Sequence, residues 1–96
     1  VTTPAADLAE RIATAVLACP HVTSLTAGPH ARVVTYRAGR PFTGVAIRDD
    51  DIEVGVVARG GRPFPDTAED VRRLVRPLAG DRPVDVLIGD VDWRTS

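Results

Sequence analysis

Asp51-Ile52-Glu53-Val54-Gly55-Val56-Val57-Ala58-Arg59 is the stretch on which the fold turns. Ile52, Val54, Val56 and Ala58 alternate with Glu53, Gly55 and Val57. Period-two patterning with β-branched residues marks a strand with one buried face. Val57 interrupts an otherwise polar second face, so this strand reads as central or as covered in part on both sides. On either side of it the chain supplies segments able to pack against it.

Upstream, Thr3 reads as an N-cap and Pro4 as the first helical position. Leu8, Ile12, Ala15, Val16 and Cys19 then lie on one helical face, and Pro20 ends the helix, which is predicted over about residues 4–18. Three short β-prone segments follow: one from His21 to Ala27, one from Ala31 to Arg37, and one from Thr43 to Arg48. Gly28-Pro29 and Ala38-Gly39-Arg40-Pro41 separate them as turns. Asp49-Asp50-Asp51 reads as a tight turn into the organising strand, since aspartate bonds its own backbone in turns.

Downstream, Gly60-Gly61-Arg62-Pro63-Phe64-Pro65 is a shaped connection. The amphipathic run near Asp66–Leu78 carries a stripe of Ala68, Val71, Leu74, Val75 and Leu78. Thr67 and Asp70 resemble a weak capping box, Gly80 is a C-terminal stop, and Pro77 predicts a distorted last turn. From Val84 to Trp93 the alternation resumes with Val84, Val86 and Ile88 on one side, and Val91 and Trp93 follow with opposite parity. A bulge near Gly89-Asp90 would return them to the core side.

Residues 1–96 thus form one α+β domain of order α-β-β-β-β-α-β: a two-layer sandwich with two helices on one face of a single, mostly antiparallel sheet. The second sheet face carries Val57 and Leu87, with Trp93 nearby, and is the predicted interaction surface.

Composition narrows the function classes. The net charge of −1 is unlike that of a dedicated nucleic-acid binder, although all twelve basic residues are arginine. One cysteine excludes an internal disulfide and fits a reducing compartment. The start of the chain lacks the basic and apolar regions of a signal peptide, and no apolar run approaches the ~20 residues of a membrane span.

No residue set spells out a reaction. Cys19 and His21 could be a nucleophile and base or, with His30, part of a metal site, but Cys19 lies on the apolar stripe, where a thiol acts as a small hydrophobe. The Asp49–Asp51 triplet lacks calcium-loop spacing, and Asp85, Asp90 and Asp92 read as charges that protect an edge strand. Gly60-Gly61-Arg62 lacks both phosphate-loop and dinucleotide patterns. Arg72, Arg73 and Arg76 share their helix with Glu69 and Asp70 and read as a solvated face. No catalytic, cofactor-binding or metal-binding residue is assigned.

Across its length the chain resembles small actinobacterial-type members of the alkaline-shock, envelope stress response family of Gram-positive bacteria. The resemblance rests on Ala15-Val16-Leu17-Ala18-Cys19-Pro20-His21-Val22, Leu25, Gly28, Gly44-Val45-Ala46-Ile47, the valine strand from Ile52, Gly61, Pro65, Ala68–Val71, Pro83-Val84-Asp85-Val86 and Asp90-Val91. It implies a non-enzymatic cytoplasmic protein that self-associates as a homo-oligomer, or is held at the membrane periphery by a small integral-membrane anchor protein. Two other readings stand beside it: a small nucleic-acid-binding module, and a ligand-binding or enzymatic domain using Cys19 and His21.

Overall fold

The computed structural model describes residues 4–37 and 40–94. The expected Thr3 cap and the Ala38-Gly39 part of one turn lie outside them. Helix α1 spans Pro4–Leu17 and helix α2 spans Phe64–Ala79. The strands are β1 (Val22–Leu25), β2 (Val34–Arg37), β3 (Arg40–Thr43), β4 (Val45–Ile47), β5 (Ile52–Arg59) and β6 (Val84–Asp92). The expected order holds with one addition: Arg40–Thr43 is itself a strand, and it pairs antiparallel with β2 as a separate two-stranded ribbon. Pro41 is compatible with that ribbon because a strand with a free edge tolerates a residue lacking an N–H.

Strand β5 is the axis of the main sheet. One of its edges is shared by two short antiparallel strands, β4 on Ile52–Val54 and β1 on Val56–Ala58. They meet at Gly55, whose N–H donates to the Gly44 carbonyl and whose carbonyl accepts the Thr26 N–H, both at 2.9 Å. The other edge pairs along its whole length with β6, in parallel. The β5–α2–β6 segment is therefore a crossover unit inside a mostly antiparallel sheet, with the helix supplying the return that parallel pairing requires. Register slips between Val56/Ile88 and Val57/Asp90, leaving Gly89 as the extra residue. This bulge restores Val91 to the side of Ala58, as the parity change in the sequence predicts.

Both helices pack on one sheet face. Ile12, Val16, Val71 and Val75 share a single core with Val45, Ile52, Val54 and Val56, all fully buried. The buried rows differ from the expected stripes. In α1 the row is Ala6, Ala9, Ile12, Ala13 and Val16, while Leu8 and Ala15 lie at its margin. Alanines let the helix backbone approach its neighbours closely, so the small side of the helix faces inward. In α2 the row is Thr67, Val71, Val75 and Ala79, which leaves Leu74 exposed.

Thr67 consequently does not cap α2. It lies inside the helix, fully buried with its hydroxyl unpaired, and Pro63 occupies the N-cap position without a side-chain bond. The helix continues through Pro77 to Ala79 and stops at Gly80, whose φ of 66° suits a residue without a Cβ. Against the outer edge of β4, the Thr35 hydroxyl does the work of a strand. It donates to the Val45 carbonyl at 2.7 Å and accepts the Ile47 N–H at 3.2 Å.

Candidate functional site

Strand register places Glu53, Gly55 and Val57 opposite Asp85, Leu87 and Asp90 on the face away from the helices. This face is not spare. The chain leaving β1 crosses it from Thr26 to Arg32. Thr26 lies with its carbonyl oxygen where a Cβ on Gly55 would stand, and its Cγ2 is 2.9 Å from the Cβ position of Gly89. Gly28, with φ at 83°, sits so close above Leu87 that an added Cβ would come within 2.6 Å of Leu87 Cδ2. The segment then closes on itself: Ala31 N–H donates to the Gly28 carbonyl and Val33 N–H to the Ala27 carbonyl, both at 3.1 Å. Closing this turn places Ala31 at φ 53°, the left-handed region that L-residues seldom adopt.

Between this roof and the sheet lies a cavity of about 180 Å³. Residues Ala27–His30 and Arg32 line it above, Glu53 and Leu87 below. Glu53 is the notable member, a carboxylate 9% exposed near the start of the central strand. Arg48, across the Asp49–Asp50 turn, donates to Glu53 at 2.9 Å and to Asp51 at 3.2 Å. Next to them on β6, Asp85 shares a hydrogen bond with Asp51. That bond, with desolvation and the negative charges of Asp51 and Glu53, holds the Asp85 carboxyl above the usual aspartate range, and Arg72 opposes the shift. Three carboxylates thus share the neighbourhood of Arg48 and Arg72. No group of three or more His, Cys, Asp or Glu among the described residues is arranged to hold a metal ion.

The predicted surface residues are only partly brought together. Val57 and Leu87 share the far face, both half-buried, with Leu87 under Gly28. Trp93 follows the end of β6, and its ring fills the space over Gly60 while 71% of the residue remains exposed. It stands at the end of the sheet to which Gly60 and the start of α2 belong, not on the Val57 face. Cys19 is buried in the core and His21 is half-buried, with its carbonyl accepting the Arg59 N–H.

The arginines of α2 are bound within the chain. Arg72 pairs with Glu69 and donates to the Val84 carbonyl, Arg73 pairs with Asp70, and Arg62 reaches back to Asp70 at 2.6 Å. The Arg62 hydrogen bond holds the Asp70 carboxyl below its ordinary range. The guanidiniums that a nucleic-acid reading would use are thereby engaged by neighbouring carboxylates.

Sequence reading missed Glu53 and Arg32 as neighbours of one cavity. A signal was present: Glu53 interrupts a strand with apolar residues on both faces. Nothing in the sequence showed that the turn carrying Arg32 folds back over it. No helix among the described residues is long and apolar enough to cross a membrane. No known family model, curated protein or solved structure matches the chain.

Proposed function

We propose that this chain is a non-enzymatic interaction or scaffold protein of the envelope stress response type, self-associating or docking on a small membrane-anchor protein, and acting in the cytoplasm at the membrane periphery. One observation carries the reading: Trp93, 71% exposed, stands at the end of the nine-residue strand β6, which pairs only with β5 among the described strands. A free strand edge offers a row of backbone donors and acceptors to another chain. Val86, Ile88 and Val91 are half-buried along it and would lose further solvent contact under a partner. An aromatic side chain of about 150–250 Å² adds an anchor of the kind that dominates interface energetics.

Multi-angle light scattering over a concentration series tests this. Wild type is expected to gain mass with concentration, and Trp93→Ser to remain a monomer with an unchanged circular dichroism spectrum. Val57→Asp reports separately on the far sheet face, which the Thr26–Arg32 crossing leaves only partly open. A wild-type chain that stays monomeric at every concentration and retains no membrane protein in pull-downs defeats the reading.

A further inference from the structure

The cavity under the Ala27–Arg32 turn combines features that an inert surface dimple lacks. Its floor holds a carboxylate that is almost wholly buried, and burying a charge is unfavourable unless something answers it. Arg48 answers one oxygen of Glu53; the other carries no hydrogen bond among the described residues. The roof carries the opposite charge in Arg32, with the His30 imidazole beside it. No ion pair joins roof to floor among the described residues, so the two charges meet the cavity separately. Leu87, Ala27 and Pro29 supply an apolar wall between them. The roof itself is held in a left-handed conformation at Ala31, and such strain is retained where the surroundings over-determine the backbone.

A ligand matching this lining has a cation at one end, an anion at the other and a small apolar body. We infer that the cavity binds a small zwitterion of the amino-acid class, its ammonium on Glu53, its carboxylate on Arg32 and its side chain against Leu87. The size agrees: a dry cavity of about 150 Å³ accommodates benzene, so about 180 Å³ admits an aliphatic amino acid. The geometry also discriminates. A bare amine makes no use of Arg32 and a bare carboxylate makes no use of Glu53, so each forfeits one charge-assisted hydrogen bond that the zwitterion makes. This inference is independent of the association reading, because the cavity lies away from Trp93.

The test is a titration of the full ¹⁵N-labelled chain with L-leucine, 3-methylbutylamine and 4-methylpentanoate, the last two each lacking one of the two charges. L-leucine is expected to shift the Gly28, His30 and Leu87 amides saturably, and each analogue to bind at least about tenfold more weakly, the factor that one lost charged hydrogen bond produces. Glu53→Gln, which keeps an acceptor for Arg48, and Arg32→Ala, at an exposed position, are each expected to weaken leucine binding by a similar factor. The inference is overturned if leucine leaves these amides unmoved at millimolar concentration. It is equally overturned if either analogue binds as well as leucine, or if binding survives Arg32→Ala in a chain whose remaining spectrum is unchanged.

Discussion

Replacing Gly55 by alanine strikes the point where two short strands and the crossing segment converge. The added Cβ would overlap the Thr26 carbonyl oxygen and come within 3.3 Å of Thr26 C and 3.6 Å of Thr26 Cγ2. A flexible side chain could swing away, but a backbone carbonyl cannot move alone. Its residue is tied to the same glycine by the 2.9 Å bond from Thr26 N–H to Gly55 carbonyl. Relief therefore requires lifting Thr26 off the sheet, which breaks that bond and loosens the roof over Leu87. Overpacking costs about 1–3 kcal/mol, and a lost backbone bond adds about 0.5–1.5 kcal/mol. The expected loss is about 2–4 kcal/mol, against a total of about 5–14 kcal/mol for a domain of this length. The melting temperature should fall by about 8–30 °C. Urea denaturation gives the free energy, and hydrogen exchange at the Thr26 amide shows whether the loss arises there. A Gly55→Ala chain destabilised by less than about 1 kcal/mol, with Thr26 still protected, would refute the close seating of the crossing segment, since the overpacking term alone exceeds that.

Other expectations follow from single buried groups. Thr67→Val should stabilise the protein by about 1–2 kcal/mol in denaturant melts, because it removes a buried hydroxyl that has no partner and keeps the side-chain shape. Thr35→Val should have the opposite sign, costing about 2–4 kcal/mol, since it strands both the Val45 carbonyl and the Ile47 N–H. Asp85→Asn should raise the melting temperature at pH 7 and leave it little changed near pH 3. The folded state holds the Asp85 proton above the ordinary aspartate range, so the stability this group contributes is present below that range and is lost as pH rises past it. Asp70 carries the reverse sign. Its lowered carboxyl contributes stability above the ordinary aspartate value that disappears on acidification, and Arg62→Ala should remove this part of the acid sensitivity.

How far the sequence could be read differs between elements. The central strand was legible because Ile52, Val54, Val56 and Ala58 repeat every two residues, which only an extended chain turns into one face. The bulge at Gly89 was legible as a parity change between Ile88 and Val91 that a regular strand could not accommodate. The helix stripes were displaced because hydrophobicity ranks leucine above alanine, whereas close packing selected Ala6, Ala9 and Ala13 in α1 and left Leu74 of α2 at the surface. Thr67 was misplaced as a cap for a related reason: the helix begins earlier, at Phe64, and threonine at its fourth position faces inward.

By itself the sequence determined the α+β class, the order of the elements apart from β3, the central strand and both helices. These are local properties, set by side-chain periodicity and by where proline and glycine interrupt it. Only the tertiary structure decided that β6 runs parallel to β5, that Thr35 joins the ribbon to the sheet through its hydroxyl, and that the Thr26–Arg32 segment covers the far sheet face. Tertiary structure also decided that Glu53 and Arg32, 21 positions apart in the chain, line one cavity. The physical reason is common to all four. Each depends on which segments distant in the chain meet, and that is settled by long-range contact and by the pairing of backbone groups between them, which no local periodicity records.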